Sequence, residues 1–255
     1  ICMDSTGSIS QVSVRNHMEF FNEPLMFAAV SIKGNPQAAK LIEAPVPMWK
    51  AFGASGTGLG RGGTSWGLPR FADARFKARI PFGILELKDN DNPLEVTVTG
   101  WSPFIPGDAD NSSLPVCAFE YTFTNPTDKD VEAVFSYHSD NFMGYRNEGE
   151  VGPLTNGFIL WQQAGKDNPE REGGFAIFLD GAEKVTVDHC WFKGGWFDPL
   201  SIVWRTIREA GMIDNPATPG QASAASLYAP LTVPAGKSKT LRLMMCWYVP
   251  QTILT

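Results

Sequence analysis

Several common chemistries lack their raw material in this sequence. There are four cysteines, Cys2, Cys117, Cys190 and Cys246, and none forms a C-x-x-C pair. Neither a zinc site nor a disulfide framework is indicated, and buried free thiols are the expectation. The three histidines, His17, His138 and His189, are scattered, so they suggest structural roles rather than a metal triad. No Gly-x-Ser-x-Gly and no Cys/His nucleophile pairing occurs. Basic residues number 21 against 27 acidic ones, the net charge is −6, and no Lys/Arg cluster is present. That balance argues against nucleic acid and acidic membrane surfaces as partners. No apolar run approaches the ~20 residues that span a bilayer, so no transmembrane segment is expected. No charged and then apolar leader marks a signal peptide, and the compartment stays open. The chain opens at Ile1 rather than Met, so removal of an upstream segment is expected. No cofactor is called for.

Aromatic residues, by contrast, are plentiful, with seventeen Phe and eight Trp. They fit either a large β core or surfaces that stack on sugars, and a core is the commoner use. Period-two alternation is clearest between Trp101 and Met143. Cys117, Phe119, Tyr121 and Phe123 share one side of an extended run, and Val131, Ala133, Phe135 and Tyr137 share one side of the next. The turn residues Asn125-Pro-Thr-Asp lie between them, which predicts a long antiparallel hairpin with an aromatic inner face.

Further strands are expected at Gln11–Arg15, Met26–Lys33, on both sides of a bend at Pro81 within 74–88, and around Leu94–Val98. Others follow at Phe158–Gln162, Gly174–Leu179, Val185–Trp191, Ser226–Val233 and Lys239–Val249. Residues 34–67 and 144–155 read as irregular. The glycine-rich run from Gly53 to Gly67 superficially offers a phosphate cradle, but no helix follows it, so a plain loop is preferred. Asp198-Pro199 is an N-cap and N1 pair, and Leu200, Val203, Trp204 and Ile207 follow helical spacing toward Gly211. The fold class expected is all-β: a large two-sheet antiparallel β-sandwich with one amphipathic helix at about 198–211, as a single domain over 1–255.

A retaining glycosidase needs two carboxylates about 5–5.5 Å apart. Candidates by position are Glu19 with Glu23, Asp108 with Asp110, and Asp140 near His138. Each reads better as a cap, turn former or solvated carboxylate, so no catalytic residue is assigned. Asp108 and Asp110, in Gly107-Asp-Ala-Asp-Asn-Ser-Ser113, have alternating oxygen ligands and are the candidates for Ca²⁺, but they lack the glycine and distal Glu of an EF-hand.

A series of motifs runs the length of the chain: Thr6-Gly-Ser-Ile-Ser10, Glu19-Phe-Phe-Asn-Glu-Pro24, Gly67-Leu-Pro-Arg-Phe71 and Pro81-Phe82. Ser102-Pro-Phe-Ile-Pro106, Ser112-Ser-Leu-Pro-Val116, Glu120-Tyr-Thr-Phe-Thr-Asn125, Gly194-Gly-Trp-Phe-Asp198 and Cys246-Trp-Tyr-Val-Pro250 continue it. Together they resemble the N-terminal domain of glycoside hydrolase family 116, the family of non-lysosomal (bile-acid) β-glucosidase/glucosylceramidase. The glycine-rich lead that this family places before Thr-Gly-Ser is Ile1-Cys-Met-Asp4 here.

The resemblance implies a β-sandwich whose partner is a C-terminal (α/α)6 catalytic barrel, absent from this chain, that bears the paired carboxylates and acts on β-glucosides or a glycolipid. The chain itself is then an accessory domain, inactive alone, that packs on the barrel through the 198–213 helix and exposed aromatics. The alternative is a free-standing carbohydrate-binding β-sandwich module with Trp49, Trp66 and Trp196 as sugar platforms. A third reading is a structural or oligomerising domain.

Overall fold

The computed structural model describes residues 1–14, 23–51, 65–144, 149–192, 198–220 and 222–251. Two antiparallel sheets face each other. The larger has eight strands in the order β10-β11-β12-β15-β8-β7-β6-β5. Its members are β5 (Asp73–Arg79), β6 (Phe82–Lys88), β7 (Glu95–Trp101), β8 (Val116–Thr124), β10 (Glu150–Leu154), β11 (Gly157–Gln162), β12 (Gly173–Asp180) and β15 (Ser238–Tyr248). The smaller has the order β13-β14-β9-β3-β4. It comprises β3 (Met26–Ile32), β4 (Asn35–Leu41), β9 (Val131–Asp140), β13 (Thr186–Asp188) and β14 (Ala224–Val233). A two-stranded ribbon, β1 (Cys2–Met3) with β2 (Ile9–Gln11), lies beside them. Among the described residues three α-helices, α1 (Met48–Ala51), α2 (Ala109–Ser112) and α3 (Pro199–Arg208), and a 3-10 turn at Pro169–Arg171 complete the elements. The expected all-β two-sheet architecture is therefore observed.

One large core fills the space between the sheets, with Val96, Val98, Phe119, Phe123, Phe135, Phe158, Phe175 and Leu243 among its buried residues. The predicted hairpin does not form. β8 pairs with β7 and β15, whereas β9 pairs with β3 and β14. The two runs belong to opposite sheets, and Asn125–Asp130 is an arch between them. The aromatic faces were read correctly, but they meet across the sandwich instead of lying side by side. Tyr121 packs tilted and Phe123 edge-on against Phe135, at 4.8 and 6.0 Å between ring centroids. Asn125, fully buried, braces the arch by donating to the carbonyls of Lys129 and Val233.

Two strands occupy stretches read as irregular, β4 and β10, and both are edge strands. Each contains a proline, Pro36 and Pro153, whose missing N–H a sheet edge tolerates. The strand expected at Gln11–Arg15 is instead β2 at Ile9–Gln11. Only Cys117 of the four cysteines is buried. Cys2 is exposed, Cys190 and Cys246 are half-buried, and all four are free.

α3 forms as its sequence predicts. The Asp198 carboxylate accepts from the Leu200 N–H, and Pro199 opens the first turn. Its apolar face packs on the outer side of β3 and β4, where Leu200, Val203 and Ile207 meet Phe27, Ala29, Leu41 and Trp191 in a second core. That face is spent within the chain and is not available to a partner.

The outer side of the larger sheet is divided across its strands. Cross-strand register places Asp180, Arg242, Glu120, Thr99, Ile84 and Lys77 in one row. Arg242 bridges Glu120 and Asp180 at 3.0 and 3.2 Å. On one side of this row the face is polar. Thr122 and Thr240 share a hydroxyl hydrogen bond, as do Thr124 and Ser238, while Lys77 pairs with Glu86 and Lys88 with Glu95. On the other side the rows read Leu154–Gly157–Phe178–Met244–Ala118–Trp101, then Gly152–Ile159–Ala176–Cys246–Val116, then Glu150–Trp161–Gly174–Tyr248. The Trp161 ring lies so close over Gly174 that a β-carbon there would come within 2.7 Å of it.

Candidate functional site

The described residues enclose one cleft rich in charge. It is lined by Thr6, Ser8, Glu23, Glu43, Lys50, Trp66 and Arg70, among others. Four chain segments build it. The Asp4–Ser8 turn approaches from one side, and its Gly7 has φ +88° and a β-carbon position 2.5 Å from Leu85, so only glycine fits. Glu23 enters ahead of β3. Glu43 follows β4, and α1 carries Trp49 and Lys50. Arg70 lies at the far end of the glycine-rich stretch.

Two ion-pair systems hold these segments together. The Lys50 ammonium, nearly inaccessible, sits 2.6 Å from Asp4 and 2.8 Å from Glu23, and donates to the Ser8 hydroxyl at 3.2 Å. Burial works against its charge, but the hydrogen bonds to Asp4 and Glu23 outweigh it and hold the ammonium above the ordinary lysine range. Burial likewise opposes ionisation of Asp4, and Lys50 with Thr6 overcomes it, leaving that carboxyl below its usual value. Arg70 grips one Glu43 oxygen through Nε and Nη2, both at 3.0 Å. It also donates to the carbonyls of Ser65, Trp66 and Leu68. Burial pushes the Glu43 carboxyl up, and the Arg70 charge offsets only part of that. These are buried pairs, so removing one partner strands the other.

The cleft volume is about 40 Å³. That holds a water or two, whereas small-molecule pockets run from ~300 Å³ upward. Trp49 stands outside, 63% exposed, with the Lys50 ammonium 5.6 Å from its ring centroid. Trp66 is half-buried on the cleft wall. Two of the three tryptophans singled out as sugar platforms thus flank the same feature. Trp196, like Glu19 and His17, lies outside the described residues, as does most of the glycine-rich run.

Asp108 is the N-cap of α2. Its two oxygens accept from the backbone and side-chain N–H groups of Asn111, which hold its carboxyl below the ordinary range. Asp110 lies in the first turn of that helix. Among the described residues no group of three or more His, Cys, Asp or Glu is arranged to hold a metal. His138 is a core residue on the α3 side of β9. It hydrogen-bonds Ser226 at 2.7 Å and Ser136 at 2.8 Å and stacks on Phe27 at 4.7 Å, and burial pushes it down to about 3. Asp140, two residues on, is pushed up to about 6 by burial, and its Oδ1 has no partner.

The cleft's buried charges, Asp4, Glu43, Lys50 and Arg70, were not selected from the sequence. The available signal was a lone carboxylate inside an apolar run, Leu41-Ile-Glu43-Ala. The motifs around Thr6 and Arg70 also carry residues of the cleft.

No helix among the described residues is long and apolar enough to cross a membrane. No curated protein matches this chain. Among solved structures, "Crystal Structure Analysis of HI1317" is similar at 13% identity and a TM-score of 0.35, covering 68% of this chain and 63% of that one. "Putative kojibiose phosphorylase from human microbiome" is similar at 9% identity and a TM-score of 0.35, covering 72% of this chain and 21% of that one. The chain thus spans less than two thirds of the length of either. Residues 1–255 match the family model described as beta-glucosidase 2, glycosyl-hydrolase family 116 N-term, and the chain belongs to that family.

Proposed function

We propose that this chain is the accessory N-terminal β-sandwich of a retaining β-glucosidase or glucosylceramidase-like enzyme. It scaffolds and docks a C-terminal (α/α)6 catalytic barrel and performs no hydrolysis itself. The observation that carries this reading is how the cleft uses its charges. Lys50 is tied to Asp4 and Glu23, and Arg70 to Glu43. Groups so committed hold four chain segments in place, which is the work of a scaffold. The membership of residues 1–255 in an N-terminal domain family supports the same reading. The sandwich is taken as one domain over the whole chain, and β-glucosides or a glycolipid are substrates of the whole enzyme.

The test is hydrolysis of an aryl β-glucoside by the chain alone and by the chain joined to its downstream sequence. Turnover is expected only from the latter. Turnover by the chain alone would overturn the reading.

A second reading, a carbohydrate-binding module, is favoured by one observation: Trp49 is largely exposed at the mouth of the cleft, with the Lys50 ammonium beside its ring. Calorimetric titration with gluco-oligosaccharides should then give heat that Trp49→Ala abolishes. Absence of any binding signal removes this reading.

A further inference from the structure

We infer that the apolar half of the outer face of the eight-stranded sheet, and not its polar half, is the footprint of the catalytic domain. This rests on the docking proposed above and specifies where it occurs. The boundary is the row in which Arg242 bridges Asp180 and Glu120. Beyond it, Trp101, Phe178, Met244, Ile159, Trp161 and Tyr248 follow one another across the strands, and the one charge in their rows is Glu150, at the β10 margin beside Trp161. None of the six belongs to either hydrophobic core or packs against one. The smaller sheet covers its own outer face with α3. Among the described helices none is seen to perform that service for the larger sheet, since α3 packs on β3 and β4.

Size supports the assignment. The rows cross six, five and four strands at about 4.8 Å spacing and lie about 6.8 Å apart, so they fit within roughly 24 by 14 Å. That is already as large as the largest apolar patch on a typical monomer, yet below the ~800 Å² per partner of a standard interface. The remainder is at hand. Ile80, Phe104, Ile105 and Leu114, at 91%, 58%, 49% and 50% exposure, sit in the β5–β6 and β7–β8 connections at the same end of the sheet.

The occupant follows from where β15 ends. Its last residue, Tyr248, lies in the outermost apolar row, beside Gly174. A polypeptide continuing past Gln251 leaves the sandwich at this half of the face. The domain that follows in this family is therefore delivered to the apolar rows within a few residues, at ~3.3 Å each, while the threonine rows lie at the far end of the strands.

Cys246 is a native reporter, in the middle apolar row between Ala176 and Val116. Its alkylation, followed peptide by peptide, should be at least about tenfold slower in the whole enzyme than in the chain alone, because thiol reactivity follows access. A thiol placed on the polar half, in Thr240→Cys, should react at equal rates in both forms, and Ile159→Lys should restore Cys246 reactivity in the whole enzyme. Equal Cys246 rates in the two forms overturn the footprint. If the two domains still co-elute after the connection between them is cut, docking itself stands; if they separate, docking falls with it. Protection of Cys246 in the chain alone, accompanied by a doubled mass in sedimentation, would assign the face to a second copy and also overturn the proposal.

Discussion

The two sheets of this sandwich solve the problem of their outer faces differently. The five-stranded sheet carries Phe27, Ala29 and Leu41 outward, and α3 lies over them with Leu200, Val203 and Ile207. Beneath the same face lie His138 with its two serine partners and the indole N–H of Trp191, which donates to Ser226 at 2.7 Å. The eight-stranded sheet grades from threonine ladders and ion pairs at one end to tryptophan, phenylalanine and methionine at the other. The first face is closed by the chain's own sequence and contributes to its stability. The second has apolar side chains, Trp101, Ile159, Trp161, Phe178 and Met244, that remain half-buried, with Tyr248 exposed. The physics of burial is the same in both; what differs is that α3 covers the first face, and none of the described helices packs on the second.

Four measurements put this contrast at risk. The largest effect is expected on the closed face. Ile207→Asp places a carboxylate in the second core and should cost about 3–5 kcal/mol in denaturant unfolding, through lost burial and an unpaired buried charge. A loss below 1 kcal/mol would mean that α3 does not seal its sheet.

Next comes acid. His138 is neutral when folded, so the unfolded chain takes up its proton first as pH drops below 6.5, and stability falls by about 1.4 kcal/mol per unit until about 3. Asp140 acts with opposite sign. Its folded value of about 6 exceeds the ordinary 3.8, so the folded state binds that proton first, and stability rises as pH falls from about 6 to about 4. The two nearly cancel in that window. Asp140→Asn should expose the histidine, and its stability should drop about 2 kcal/mol further than that of the unaltered chain between pH 6 and 4.5. Parallel pH profiles would show that Asp140 is not raised by burial, and a variant profile that stays flat between pH 6 and 4.5 would show that His138 is not sealed in.

Asp198→Ala removes the cap of the covering helix and should cost about 1 kcal/mol, read as a shift in the unfolding midpoint. The smallest effect belongs to the open face. Met244→Lys in the isolated chain should change stability by under about 1 kcal/mol, as surface substitutions do. A cost like that of Ile207→Asp would mean the apolar rows are already covered from within.

The strands with period-two alternation were legible from sequence, because inner and outer residues differ in polarity along β7, β8 and β9. Partnership was not. Alternation says which way a side chain faces but not which strand lies alongside, so Phe123 and Phe135 looked like neighbours in one sheet when they face each other across two. β4 and β10 escaped because edge strands tolerate proline and need not alternate cleanly. The helix was readable end to end, from the Asp198 cap to the spacing of Ile207. The cleft was not, since Asp4, Glu43, Lys50 and Arg70 are separated by long stretches of sequence and only the folded turns bring them together. The division of the larger sheet's face was equally hidden: each strand carries both kinds of residue, and only the register aligns them into rows.

The last strand of the sequence is not at the margin of its sheet. β15 lies between β12 and β8, near the middle of the eight. During synthesis, β5 to β8 and β10 to β12 emerge as two partial sheets, each with an unpaired edge awaiting the same segment. Residues 238–248 join them, with pairings that reach back more than a hundred residues to β8. Completion of this sheet is therefore timed by the ribosome. Until those final strands leave the exit tunnel, two open edges stand ready to pair with another nascent chain, and chaperones would have most to do in that interval.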